Sequence, residues 1–274
     1  MAKRVVFIHG MFENSRSWGL WMQWFAERGY DCHAPDWPLH EGNPEELRRN
    51  PPAALGKLRL EDVISQMTGE AQRHKDPILI GHSLGGWVVQ RLVAAGVGSM
   101  GVPICSVPPN HLLAAEWGRL GHLADITNPQ RGDARAPMDA ETFHKTFANT
   151  MPRAASDAAF ERYAMDESRN VLRDVLGGEG SVDPEAQRAP LLFVAAERDA
   201  VIPPWLCRKN ADLYGEAGRV ADYREFAGRG HFIGGEPGWE EVAAFVLAWI
   251  ERNAHSGDEL IGANARPSPF HVPG

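Results

Sequence analysis

The pentapeptide Gly81-His82-Ser83-Leu84-Gly85 decides how this chain is read, together with Pro77-Ile78-Leu79-Ile80 before it and Gly86-Trp87-Val88-Val89-Gln90-Arg91-Leu92 after it. The apolar run predicts a strand, the pentapeptide a sharp turn, and the segment after it a helix. In that setting G-x-S-x-G marks a nucleophile elbow, which lifts a serine hydroxyl above the end of a sheet. Side chains two positions before and after the serine would collide in such a turn. Glycine at 81 and 85 removes them, and Gly86 lets helix and strand pack closely. Chance also produces this pentapeptide, so its weight comes from the strand before it and the helix after it. Ser83 is therefore a candidate nucleophile in need of partners.

Working outward, residues 5–8 (Val-Val-Phe-Ile) are a continuous apolar run of the kind found inside parallel sheets. Trp18, Trp21, Met22 and Phe25 then fall at helical spacing, closed by Gly29. A second short strand is predicted at 30–34, a largely irregular stretch at 36–57, and a helix at 58–74. With the elbow strand and its helix, the order is β-α-β-α-β-α, which predicts a parallel sheet with helices on both faces. Residues 101–107 continue the pattern as a strand. From 108 to 189 only helical patches appear, an insert expected to cap the functional edge of the sheet. The alternation returns with a strand at 191–195, a helix at 204–214, a strand at 220–226 and a helix at 237–252. The expected organisation is an α/β core formed by 1–107 and 190–252, a helical cap at 108–189, and an irregular tail at 253–274. That tail carries Pro267, Pro269 and Pro273.

Composition narrows the function. With 43% hydrophobic residues among 274, a sizeable core is available, and the net charge of −8 is spread without a basic patch. A nucleic-acid partner is not expected. Cys32, Cys105 and Cys207 stand at no metal spacing and read as reduced thiols of an intracellular protein. No apolar run approaches a membrane span or a signal segment, so a soluble cytoplasmic protein is the expectation.

A serine needs an imidazole to take its proton and a carboxylate to orient that imidazole. In parallel sheets such partners sit just after strands, here in the order serine, acid, histidine. Asp199 follows the strand at 191–195, and His231 ends the loop Ala227-Gly228-Arg229-Gly230 after the strand at 220–226. Glu197 is the nearest rival acid, whereas the loop Ser106-Val107-Pro108-Pro109-Asn110 holds none. Of the ten histidines besides His231, His82 reads as structural within the elbow and His9 as a brace for its loop; the other eight read as surface or satisfied core residues. A tetrahedral intermediate also needs backbone donors for its oxyanion. Leu84 N–H at the start of the elbow helix is one; Met11 N–H in His9-Gly10-Met11-Phe12 is the other, with Phe12 as the alternative. No metal or organic cofactor is called for.

Together, His9-Gly10, Gly81-His82-Ser83-Leu84-Gly85-Gly86, Asp199 with Ile202-Pro203, and Gly230-His231 resemble the α/β-hydrolase superfamily across residues 3–252. Starting directly at the His-Gly strand, the chain is loosely similar to the compact branch with plant methylesterases and hydroxynitrile lyases. The resemblance implies Ser83, Asp199 and His231 as the triad, and Met11 and Leu84 as oxyanion donors. There are departures. The loop 36–42 lacks the His-Gly-x-Ser of many relatives. Phe232 stands where the lyases carry a lysine, and Met11 and Phe12 replace a hydroxyl residue. Both changes argue against cyanide chemistry. The implied activity is a serine esterase cleaving small hydrophobic carboxylic esters through an acyl-enzyme. The same triad also serves thioesters, lactones or carbon–carbon bonds, and the fold serves non-hydrolytic enzymes and ligand-binding receptors.

Aromatic residues near the strand ends complete the expectation. Phe12, Trp37, Trp87, Trp205 and Phe232 from the core, and Trp117, Phe143 and Phe147 from the cap, are the candidate substrate-binding residues of an apolar pocket. Oligomeric state has no signature in the sequence.

Overall fold

In the computed structural model, residues 3–120 and 123–263 are described, with side chains up to residue 254. Six strands, β1 (Arg4–Ile8), β2 (Asp31–His33), β3 (Ile78–His82), β4 (Met100–Ile104), β5 (Leu191–Ala196) and β6 (Ala221–Phe226), form one sheet. All pairings are parallel, in the order β2-β1-β3-β4-β5-β6. Successive strand residues face opposite sides, which explains the unbroken apolar runs. Val5 and Phe7 join one core with Trp18, Trp21 and Phe25, whereas Val6 and Ile8 join the other with Val63, Met67 and Val88. Each such buried side chain stabilises the fold by about 1.5–3 kcal/mol. The doubly covered parallel sheet expected from the alternation is what the structure shows.

The helices follow the strands in turn. After β1 comes α1 (Gly19–Ala26); after β2 come α2 (Pro44–Arg49) and α3 (Leu60–Gln72); after β3 comes α4 (Leu84–Ala94). The short α2 lies inside a stretch expected to be largely irregular. Asn43 caps it by accepting from Glu45 N at 3.0 Å, and Pro44 sits in its first turn, where its missing N–H is no loss.

Between β4 and β5 the chain forms α5 (Asn110–Glu116), α6 (Ala124–Thr127), α7 (Ala140–Thr146), α8 (Arg153–Tyr163) and α9 (Arg169–Leu176). Among the described residues this stretch holds no strand, only an isolated antiparallel bridge between Ala136 and Glu167. It is fastened to the crossover before α3. Asp174 on α9 pairs with Arg59 through two hydrogen bonds of 2.7 and 2.5 Å and accepts the first free N–H of α3, that of Leu60, at 3.1 Å. Ser168 and Asn170 bind the Leu58 and Gly56 carbonyls at 2.8 and 2.9 Å.

The chain closes with α10 (Pro204–Glu216) after β5 and α11 (Trp239–Ala263) after β6. The expected irregular tail from residue 253 is corrected here: α11 continues through Ala263. Residues 253–263 hold no proline, so nothing in the backbone stops the helix. The proline-bearing remainder of that tail, 264–274, lies outside the described residues.

Parallel pairing sets Ile8 beside Gly81 and His82 beside Ile104. The loops leaving β1, β3 and β4 therefore emerge together at one edge, under α5 to α9.

Candidate active site

Ser83 occupies a backbone conformation that few side chains tolerate, φ 53° and ψ −117°. Strain of this kind costs about 1–3 kcal/mol and persists only where the surroundings enforce it. Here the enforcement is visible. Ser83 N donates to Ile104 O at 2.9 Å, and Ser83 O accepts from Gly86 N and Val107 N at 3.1 Å each. A Cβ on Gly81 would stand 2.2 Å from Gly85 O, and one on Gly85 would stand 2.2 Å from Ile8 O. No side chain fits at either position.

Asp199 and His231 meet, although 32 residues apart in sequence. His231 Nδ1 lies 2.8 Å from Asp199 Oδ2, and the other carboxylate oxygen accepts from Val201 N and Ile202 N, both at 2.8 Å. The pairing fixes the proton on Nδ1. That leaves the lone pair on Nε2, which is buried and has no partner among the described residues. Burial pushes the His231 imidazole below its usual 6.5, Asp199 offsets only part of this, and the neighbouring His82 lowers it further. The neutral form of the ring is thereby favoured. Its edge contacts Phe147, with centroids 4.9 Å apart, and Phe147 lines the same cavity as Ser83. The rival acid, Glu197, is exposed and turned away, accepting from Gly228 N at 2.6 Å.

Cys105, another residue with positive φ (45°), offers a sulfur within 4.8 Å of the Asp199 and His231 ligand atoms. The trio has the residue types of a metal site. Its chemistry is otherwise engaged: Asp199 already accepts from His231, Val201 and Ile202, and burial together with the Asp199 charge pushes the Cys105 thiol well up, which favours its protonated form.

The loop after β1 approaches the elbow so closely that a Cβ on Gly10 would lie 2.9 Å from Ser83 Cβ. Phe12 takes φ 66°, and its N–H donates to Glu167 Oε2 at 3.3 Å. Met11 N–H, by contrast, finds no acceptor among the described residues, and Leu84 N–H is one of the free donors at the start of α4. Of the two candidate donors in this loop, Met11 is the one left free.

A cavity of about 90 Å³ opens beside Ser83, lined by Met11, Phe12, Val107, Val201 and Ile202 from the core. The cap supplies Leu113, Leu123, Ile126, Met138, Thr142, Thr146, Phe147 and Leu172. No charged side chain lines it among the described residues. Of the eight aromatic candidates, Phe12 and Phe147 are on this wall; the other six are placed elsewhere. Phe143 stacks behind Phe147 with centroids 5.4 Å apart. Phe232 turns toward Phe143, Tyr163 and a separate cleft beside Glu13 and His82. Trp37 and Trp87 are fully buried, one against His9 at 4.6 Å, the other donating to Gly180 O at 3.2 Å. Trp117 lies in a half-buried turn of the cap, and Trp205 packs under Arg119 and Lys209. Proximity to a strand end did not reveal which way these rings point.

Two buried acid–histidine pairs behind the loop have no signature in the sequence. Glu13 Oε1 accepts from Gly10 N at 3.0 Å and lies 2.7 Å from His82 Nδ1. Glu167 Oε2 lies 3.0 Å from His40 Nε2. Burial opposes charge on each histidine, but the facing carboxylates win and raise both. Glu13 is likewise held below its usual range by His82 despite burial. Residues far apart in sequence form each pair, so periodicity could not have found them.

A family model described as "Alpha/beta hydrolase family" matches residues 5–245. A carboxylesterase of Bacillus subtilis is 30% identical over 149 residues, which are 54% of this chain and 58% of that protein's length. Among solved structures, a monoacylglycerol lipase of Paleococcus ferrophilus superposes with TM-score 0.66 at 21% identity, covering 90% of this chain and 93% of the other. A methylesterase from Arabidopsis gives TM-score 0.66 at 14% identity, over 91% and 99%. These similarities carry the fold.

Proposed function

The chain belongs to the alpha/beta hydrolase family, and from that premise we propose that it is a serine hydrolase of small, hydrophobic carboxylic esters. The observation that carries this reading is the Asp199–His231 pair, which leaves His231 Nε2 buried and unpartnered among the described residues, with the ring against Phe147, a wall residue of the apolar cavity that Ser83 also lines. Nε2 takes the Ser83 proton as Oγ attacks the ester carbonyl. Met11 N–H and Leu84 N–H receive the oxyanion, a contribution on the order of 10²–10³ in rate per donor. His231 then protonates the leaving alcohol, and an acyl group remains on Ser83. Water, deprotonated by the same nitrogen, releases the acid. Asp199 holds the tautomer that both steps need.

The cavity wall supports the substrate class. Among the described residues it offers apolar surface and two threonines but no cation for a carboxylate or phosphate, which favours a neutral acyl group. The esterase, lipase and methylesterase activities named for the similar proteins agree with ester chemistry.

The test is covalent labelling by a fluorophosphonate, alongside turnover of p-nitrophenyl esters of graded chain length. Wild type is expected to label and turn over, and Ser83→Ala to lose labelling and about 10⁵–10⁶-fold in kcat. A wild-type enzyme that neither labels nor turns over any ester sinks the proposal.

A further inference from the structure

Building on the serine-hydrolase reading, we infer that Glu13 and Glu167, each clamped by a buried histidinium, are positioning residues that aim the Met11 N–H at the oxyanion. The chain must turn from β1 to pass under Ser83 with Phe12 at φ 66°, a conformation that unravels unless held. Three successive peptide groups are held, each by a different partner. Gly10 N–H donates to Glu13 Oε1 at 3.0 Å, and Phe12 N–H donates to Glu167 Oε2 at 3.3 Å. The peptide between residues 10 and 11 is fixed through its other end: Gly10 O lies 2.8 Å from His9 Nδ1. A trans peptide is planar, so a pinned carbonyl points its N–H the opposite way. That N–H belongs to Met11, the one left free.

Protonation follows from which atoms face each ring. His82 Nδ1 faces Glu13 and its Nε2 faces His231 O at 2.9 Å; His40 Nε2 faces Glu167 and its Nδ1 faces Pro38 O at 2.9 Å. All four partners are acceptors, so each ring satisfies both only as an imidazolium. His9 shows the alternative. Its Nε2 accepts from Trp37 N at 3.0 Å while Nδ1 donates, the pattern of a neutral ring. The two carboxylates are thus neutralised in place, and their bonds to the Gly10 and Phe12 amides are charge-assisted.

The clamps also join parts of the site. His82 binds Glu13 on one side and the backbone of the catalytic base on the other. Glu167 comes from the cap, and two residues earlier Met165 N donates to Phe12 O at 2.9 Å. The cap thereby sets one side of the oxyanion loop as well as the cavity wall.

The test uses the whole enzyme, Glu167→Gln and Glu13→Gln, with kcat expressed per site titrated by fluorophosphonate so that unfolded molecules do not count. Each variant is expected to lose about 10- to 100-fold in kcat with KM within about threefold, less than the 10²–10³ of a deleted donor. A trifluoromethyl ketone, which forms a tetrahedral adduct, should weaken by the same factor, whereas the product alcohol should bind unchanged. In wild type, nitrogen-15 spectra of the histidine rings at near-neutral pH should show His40 and His82 as imidazolium and His9 and His231 as neutral. Unchanged kcat per titrated site, or neutral His40 and His82 rings, overturns the inference while leaving the serine-hydrolase reading intact. A wild type that neither labels nor turns over overturns both.

Discussion

Two carboxylate–imidazole pairs stand side by side behind Ser83, and they do opposite things. Asp199–His231 and Glu13–His82 have nearly equal contacts, 2.8 and 2.7 Å, both are buried, and the two rings lie 4.7 Å apart. Yet burial pushes His231 below its usual 6.5, whereas the Glu13 carboxylate outweighs burial and raises His82 above it. The difference is at the far nitrogen. Among the described residues His231 Nε2 meets no acceptor; His82 Nε2 meets the His231 carbonyl. On the proposed reading, that one missing partner separates a base ready for a proton from a cation holding backbone. The two are also coupled, because the His82 charge further disfavours a proton on His231.

Breaking the first pair should have the larger effect. Asp199→Asn keeps the shape but can present the wrong tautomer, and kcat is expected to fall about 10⁴-fold. Steady-state kinetics on any ester turned over by wild type measures this. A loss under tenfold would mean that Asp199 does not orient the base.

Breaking the second pair should be milder and leave a signature in pH. On the serine-hydrolase reading, kcat/KM of wild type needs neutral His231, so its acid limb should lie below pH 6.5, since the folded value is lowered from 6.5. In His82→Gln the lowering charge is gone, while Glu13 and Asp199, which both raise His231, remain. The acid limb should move up, with about a tenfold loss of kcat on the plateau from a loosened loop. Stability follows the same signs. His82 has a raised folded pKa, so its contribution is complete below about 6.5 and is lost as pH rises through the folded value. Glu13 has a lowered one, so its contribution is complete above 4.5 and is lost as pH falls through the folded value. The alkaline fall in Tm should therefore be shallower in His82→Gln than in wild type. An acid limb that stays put would show that the rings are not coupled.

The contrast also explains what could be read from the chain. The strands were legible because β1, β3 and β5 are buried on both faces and so carry unbroken apolar runs; Ser83 and Asp199 follow two of these, and His231 follows the half-exposed edge strand β6 in a glycine-flanked loop. Local context was enough to nominate them. Glu13–His82 and Glu167–His40 depend on contacts across 69 and 127 residues, and no local pattern announces them. For the same reason Met11 and Phe12 stayed alternatives: Glu167, 155 residues away, engages the Phe12 amide. The pocket was read from aromatic content, but Trp37 and Trp87 pack inward, while much of the wall comes from aliphatic cap residues such as Leu113, Ile126 and Met138. Cap helices pack on both the core and one another, so their sequence does not say which face meets the cavity.

The smallest effect belongs to a third acid in the same neighbourhood. Glu197 stands two residues before Asp199 and, judged by sequence position alone, serves as well for orienting the base. Its carboxylate instead reaches out to Gly228 N at 2.6 Å from an exposed position. That bond stiffens the loop carrying His231, but an exposed hydrogen bond contributes only about 0.5–1.5 kcal/mol to stability. In Glu197→Gln the amide oxygen can still accept from Gly228 N. Asp199 keeps its bonds to His231, Val201 and Ile202, none of which involves residue 197. Activity within about twofold of wild type is expected, with an unmoved acid limb, because the charges that shift the His231 ring are those of Asp199, His82 and Glu13. A dead Glu197→Gln enzyme beside an active Asp199→Asn one would transfer the orienting role to position 197 and dissolve the contrast between the two pairs.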